Sequence, residues 1–103
     1  MEIEIFEYDY LYDLFRGEKN FKEKIEKEVE RVIQEKDIFS VQKWLKGQPY
    51  ADNLEAKFPV MDFSYTCRIY INVTKDYTAI RLITWTKDGV GHVDTIGEVR
   101  WYG

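Results

Sequence analysis

Arg68, Arg81 and Arg100, together with His92, are the residues of this chain whose types suit phosphate and acid–base chemistry. A guanidinium grips an oxyanion through paired N–H donors, and an imidazole titrates near neutral pH. Glu98 adds a carboxylate two residues before Arg100. With His92 or Glu98 as general base, and Arg81 or Arg100 stabilising a phosphorane, such a set would cleave RNA without a metal. The same arginines, taken with Tyr70, Ile83, Trp85 and His92, are also the kind of side chain that dominates protein–protein interfaces. Either chemistry requires these residues to share one surface.

Periodicity says that they do. Residues 62 to 72, DFSYTCRIYIN, alternate polar and apolar without a break, and strands are expected over 60–73, 77–86 and 90–102. A two-residue turn at Lys75-Asp76 sets Ile71 against Ile80, Ile69 against Leu82 and Cys67 against Thr84. A second at Asp88-Gly89, where Gly accepts positive φ and Asp tolerates it, sets Leu82 against Thr95, Thr84 against Val93 and Thr78 against Val99. Both registers gather one apolar set: Met61, Phe63, Tyr65, Cys67, Ile69, Ile71 and Val73 with Ile80, Leu82, Val93, Val99 and Trp101. The opposite face then carries Arg68 and Tyr70, then Arg81, Ile83 and Trp85, then His92, Asp94, Ile96, Glu98 and Arg100. Tyr70 is expected opposite Arg81, and Trp85 opposite His92. The expected surface is cationic and rich in rings.

The N-terminal half supplies the cover for the apolar face. Residues 2–6, EIEIF, read as a short strand free to join either edge of the sheet. In EYDYLYDLFRG, Tyr8, Leu11, Tyr12 and Phe15 fall on one helical face, with Asp9 and Asp13 on the other and Gly17 as the stop. Next, NFKEKIEKEVERVIQEK opens on Asn20 and Glu23, a capping-box spacing, and carries the stripe Phe21, Ile25, Val29, Val32 and Ile33. Asp37 is the expected cap of a third helix, IFSVQKWLK, striped by Ile38, Val41, Trp44 and Leu45 and ended by Gly47. Residues 47–59 hold both prolines and read as one irregular connection. The fold class is therefore α+β: one domain over 1–103, an N-terminal strand, and two to three helices on one face of a C-terminal three-stranded antiparallel meander.

Composition narrows the function. The chain has 103 residues and a net charge of −4, and its first fifteen residues hold five carboxylates and no cation. An acidic chain is poorly suited to non-specific duplex binding, which rests on neutralising phosphates. Aromatics reach 17%, with 8 Tyr, more than a core of this size needs, so some belong to the surface. No apolar run approaches the roughly 20 residues of a membrane span, and the acidic start does not read as a signal or transit peptide. The single cysteine, Cys67, falls on the apolar face as a buried thiol, which leaves neither a disulfide nor a multi-cysteine metal site. Asp94 and Glu98 are too sparse for a hard-cation cage. No cofactor and no metal are expected, and a cytoplasmic setting follows.

Three readings of the polar face remain. It is a plain sheet exterior, held by cross-strand Arg–aromatic pairs. Alternatively it is a protein-binding surface, and small acidic α+β inhibitors of nucleic-acid enzymes, such as immunity proteins, antitoxins and phage-encoded inhibitors, have a similar make-up. Asp9 and Asp13 are secondary partner-binding residues in that case, as steering charge or as a mimic of phosphates. Thirdly, the order strand, two helices and three-stranded meander resembles that of the small mRNA-cleaving toxins of toxin–antitoxin modules, which implies an endoribonuclease working from the same face. Of these, an interaction module acting as inhibitor or adaptor fits the acidic composition best, with the endoribonuclease as the alternative.

Overall fold

The computed structural model describes residues 1–102. The chain runs β1 (Glu2–Ile5), α1 (Asp9–Leu14), α2 (Phe21–Glu35), α3 (Ile38–Lys46), a 3-10 turn (Ala51–Asn53), β2 (Ala56–Ser64), β3 (Cys67–Val73), β4 (Thr78–Trp85) and β5 (Gly91–Arg100). The strands form one sheet in the order β1-β5-β4-β3-β2, antiparallel at every pairing. The fold is α+β, with the helices over one face. No helix among the described residues is long and apolar enough to cross a membrane.

The core lies between the helices and that face. From α2 come Phe21, Ile25, Val29, Val32 and Ile33, the stripe expected from their spacing. Ile69, Ile71, Ile80 and Ile96 meet them from the sheet and are fully buried. Each such aliphatic side chain contributes about 1.5–3 kcal/mol through removal from water. β1 joins the β5 edge, pairing Ile3 with Val99 and Ile5 with Gly97.

Two expectations change at turns. The alternation over residues 62–72 crosses a hairpin: Ser64 pairs with Cys67, so Tyr65 and Thr66 form the turn between β2 and β3. Tyr65 stands fully in solvent instead of joining the apolar face. The meander therefore has four strands, because a two-residue turn preserves the period-2 pattern and hides itself in the sequence. The Lys75-Asp76 turn forms as expected, with Thr74 N–H donating to the Tyr77 carbonyl at 2.9 Å and Ile71 opposite Ile80.

The β4–β5 hairpin differs by one residue. Thr86 N–H donates to the Val90 carbonyl at 2.9 Å, so the loop is Lys87-Asp88-Gly89, with Gly89 at φ +81. A three-residue loop with Gly in the left-handed region is a standard alternative to the two-residue turn. Leu82 consequently faces Asp94, Thr84 faces His92 and Trp85 faces Gly91. A bulge then restores the expected register, giving Ile80 opposite Gly97 and Thr78 opposite Val99. Ile96 is the extra residue, fully buried in the core instead of open on the polar face. One displaced residue thus moves His92 and Asp94 to the helix side and brings Val93 and Thr95 to the open side.

The helices show smaller departures. Neither Asn20 nor Asp37 makes a side-chain cap bond, and Asp37 takes φ +48. Gln42, not Trp44, turns inward on α3, where its amide N–H donates to the Thr74 carbonyl at 3.0 Å. Trp44 is 61% exposed. On α1 Leu11 is buried, while Tyr8 and Tyr12 remain exposed.

Candidate functional site

The sheet face turned away from the helices is built from the alternate residues of five strands, and among the described residues no element covers it. β3 and β4 bring Tyr70 opposite Arg81 and Arg68 opposite Ile83. β4 and β5 bring Arg81 opposite Thr95 and Ile83 opposite Val93. β2 contributes Pro59 beside Tyr70 and Asp62 beside Arg68. Proline suits this position because an edge strand does not need its N–H on the outer side.

At one end these side chains enclose a groove of about 400 Å³, with Pro59, Tyr70, Ile83, Trp85 and Val93 as apolar walls and Lys57 and Arg68 at its margin. Arg68 Nε donates to Asp62 at 2.6 Å, and its guanidinium lies 5.8 Å from the Trp85 ring. Gly91 matters here: a Cβ at that position would come within 3.3 Å of Ile83 Cδ1 and 3.4 Å of Trp85 Nε1. The missing side chain leaves the indole room beside Ile83. A second hollow, of about 230 Å³, adjoins along the sheet and is lined by Tyr77, Ala79, Arg81, Thr95 and Glu98.

Farther along β5, Arg100 is ringed by Glu2, Glu4 and Glu98. The Glu98 hydrogen bond chiefly raises its pKa above the ordinary arginine value. The face as a whole therefore holds four cations, Lys57, Arg68, Arg81 and Arg100, against five carboxylates, Glu55, Asp62, Glu98, Glu2 and Glu4. It is not cationic as expected: the cations beside the groove are paired with Glu55 and Asp62, and the excess of negative charge lies at β1.

Of the expected site residues, Arg68, Tyr70, Arg81, Ile83 and Trp85 come together on this surface. Glu98 and Arg100 share the face but lie at its β1 end, bound to each other. His92 does not join them. It is on the helix side of the sheet, 3.6 Å from Asp94. It also sits eight residues from Arg100 along one strand, about 27 Å at 3.4 Å per residue. His92 is thus not assembled with the phosphate holders of the endoribonuclease reading, whereas Glu98, the other general base of that reading, lines one hollow with Arg81 and is bonded to Arg100. Asp9 and Asp13, on α1, belong to the helical layer, separated from Arg81 and Trp85 by the sheet. Among the described residues no three His, Cys, Asp or Glu side chains form a cluster fit for a metal ion.

Sequence reasoning missed Lys57 and Pro59 as lining, and Asp62, Val93 and Thr95 as open-face residues. Strand β2 begins at Ala56, inside the stretch 47–59 expected to be irregular; Ala56 and Phe58, which face the core, carried a strand signal masked by Pro59. Cys67 lies across the sheet, where burial raises its thiol pKa. A thiol whose folded pKa is raised contributes stability below its unfolded pKa, about 8.5, and loses it as pH rises through the folded value. Ellman's reagent at pH 8 is expected to label the native protein at least about 100-fold more slowly than the urea-unfolded chain, since only the exposed thiolate reacts. Equal labelling rates would contradict the burial.

No family model matches the chain, and no curated protein or solved structure matches it either.

Proposed function

We propose that this protein is a small interaction module, an inhibitor or adaptor, that docks a partner protein on its open sheet face. The observation that carries the reading is the groove between Pro59, Tyr70, Ile83, Trp85 and Val93: an apolar hollow on a face that no helix covers. Rings at the centre of such a hollow supply large buried area with few rotamers to freeze, and arginines beside it add directed donors, which is how a few residues dominate binding energy. The uneven charge on the face, negative toward β1, sets the orientation of a partner, adding specificity more than affinity. An intracellular setting suits a chain with one buried thiol and no disulfide.

Immobilised protein is expected to retain a partner from extracts of the cells that make it. Trp85→Ala and Arg81→Ala are each expected to weaken that complex by about 2 kcal/mol, roughly 30-fold in Kd, while urea midpoints change little. A partner held equally well by the wild type and both variants would place the interface elsewhere.

A further inference from the structure

Arg81 is the one cation on this face, among the described residues, whose partner is uncharged. Lys57 has Glu55 at 3.4 Å, Arg68 has Asp62 at 2.6 Å, and Arg100 has its three glutamates. Arg81 instead donates through Nη2 to the Tyr77 hydroxyl at 3.1 Å, with its guanidinium 5.5 Å from that ring. The same hydroxyl accepts the Asn72 amide N–H at 3.3 Å. Two buried atoms in this knot have no partner in the protein: Arg81 Nε, and Oδ1 of the fully buried Asn72. An unmade hydrogen bond on a charged group is costlier than one on a neutral group. A hydroxyl also satisfies only part of the guanidinium fork, which matches the two oxygens of a carboxylate.

The knot adjoins the apolar groove. Ile83 and Val93 form one cross-strand rung and line the groove, while Arg81 and Thr95 form the next rung on this face and line the smaller hollow. Successive rungs on one face are about 7 Å apart.

We infer that the open face receives a partner segment that sets an apolar or aromatic side chain in the groove and a carboxylate, about 7 Å away, on Arg81. The inference rests on the docking role proposed above and names the chemistry of the partner. The carboxylate accepts from Nε–H and Nη2–H together. One binding event thus gives the unpartnered Arg81 Nε–H its acceptor. The other three cations already hold carboxylates and would have to exchange one for another. Glu98, across the hollow, is engaged by Arg100, which offsets its repulsion.

The test is an NMR titration of the full chain, ¹⁵N-labelled, with 3-phenylpropionate and its uncharged counterpart 3-phenylpropanamide. The Arg81 Nε–H resonance reads the contact directly. The propionate is expected to move that resonance and the Ile83 and Val93 amides, with a Kd about tenfold below that of the amide. Arg81→Gln is expected to remove the preference while the ring still binds in the groove. Equal Kd values for the two probes would overturn the inference, as would a carboxylate preference that survives Arg81→Gln or centres on Lys57 or Arg68. In those outcomes the ring still seats in the groove and the docking role stands. If neither probe moves Ile83, Val93 or Trp85, the groove and the docking role fall together. A twelve-nucleotide uridine RNA is titrated alongside, and its binding at Arg81 more tightly than the propionate would reassign the site to phosphate.

Discussion

Gly97→Ala is expected to destabilise the protein by about 3 kcal/mol. A Cβ built at Gly97 falls well inside van der Waals distance of the Glu4 carbonyl oxygen, and 3.2 Å from the Cδ1 atoms of Ile5 and Ile80. The obstructing atom is backbone, so no rotamer change relieves it. β1 must move off β5, which disrupts a four-residue ladder that also holds Ile5 over the core. No positive φ is involved, so the effect isolates the close approach of two strands. A shift in urea midpoint at unchanged slope measures it. A loss under about 0.5 kcal/mol, the usual range for an innocuous substitution, would mean that β1 does not lie where Gly97 places it.

Ile71→Ala is expected to cost about 4 kcal/mol, and Ile83→Ala about 1 kcal/mol. Ile71 is fully buried at the middle of β3, facing Ile80 on one side and Phe58 on the other. Truncation there leaves a cavity under the helices that a packed sheet cannot collapse. Ile83 is of the same type on the next strand, but its side chain points to the open face and is only half-buried. The difference between the two variants, read from urea titrations, therefore measures the two-sidedness of the sheet. Equal losses would mean that something covers the groove side as well, and the proposed docking surface would not be free.

How much of this was legible in advance depends on what a period-2 pattern can carry. The pairing of β3 with β4 was readable because the Lys75-Asp76 turn is held by its own residues, and Arg81 falls opposite Tyr70 as expected. The turn at Tyr65-Thr66 was not readable, because inserting two residues leaves the alternation in phase. At Asp88-Gly89 the turn signal was real, but the loop took a third residue, and the Ile96 bulge corrected the phase only from Gly97 onward. The far end, Thr78 against Val99, looked right while the near end was inverted. That is why His92, rather than Arg81 or Trp85, was misplaced. Trp44 and Gln42 exchanged roles for another reason. Position 42 shares the buried face of α3 with Ile38 and Leu45 and reaches the Thr74 carbonyl, while position 44 falls on another side of the helix.

Local pattern was enough to determine the α+β class, the apolar stripe of α2, the buried thiol of Cys67 and the gathering of Arg68, Tyr70, Arg81, Ile83 and Trp85 on one surface. Each of these follows from spacing along a single element or across one tight turn, where the period of the backbone ties a residue's position to its face. The tertiary structure alone decided the charge of that surface, because Glu2 and Glu4 arrive on a strand far away in the chain and Asp62 across a hairpin turn hidden in the alternation. It also decided that Arg81 is left with a neutral partner and that Pro59 and Val93 close the groove. Pairing across strands is set by bulges and loop lengths whose energies depend on the whole sheet, and no local window of residues contains them.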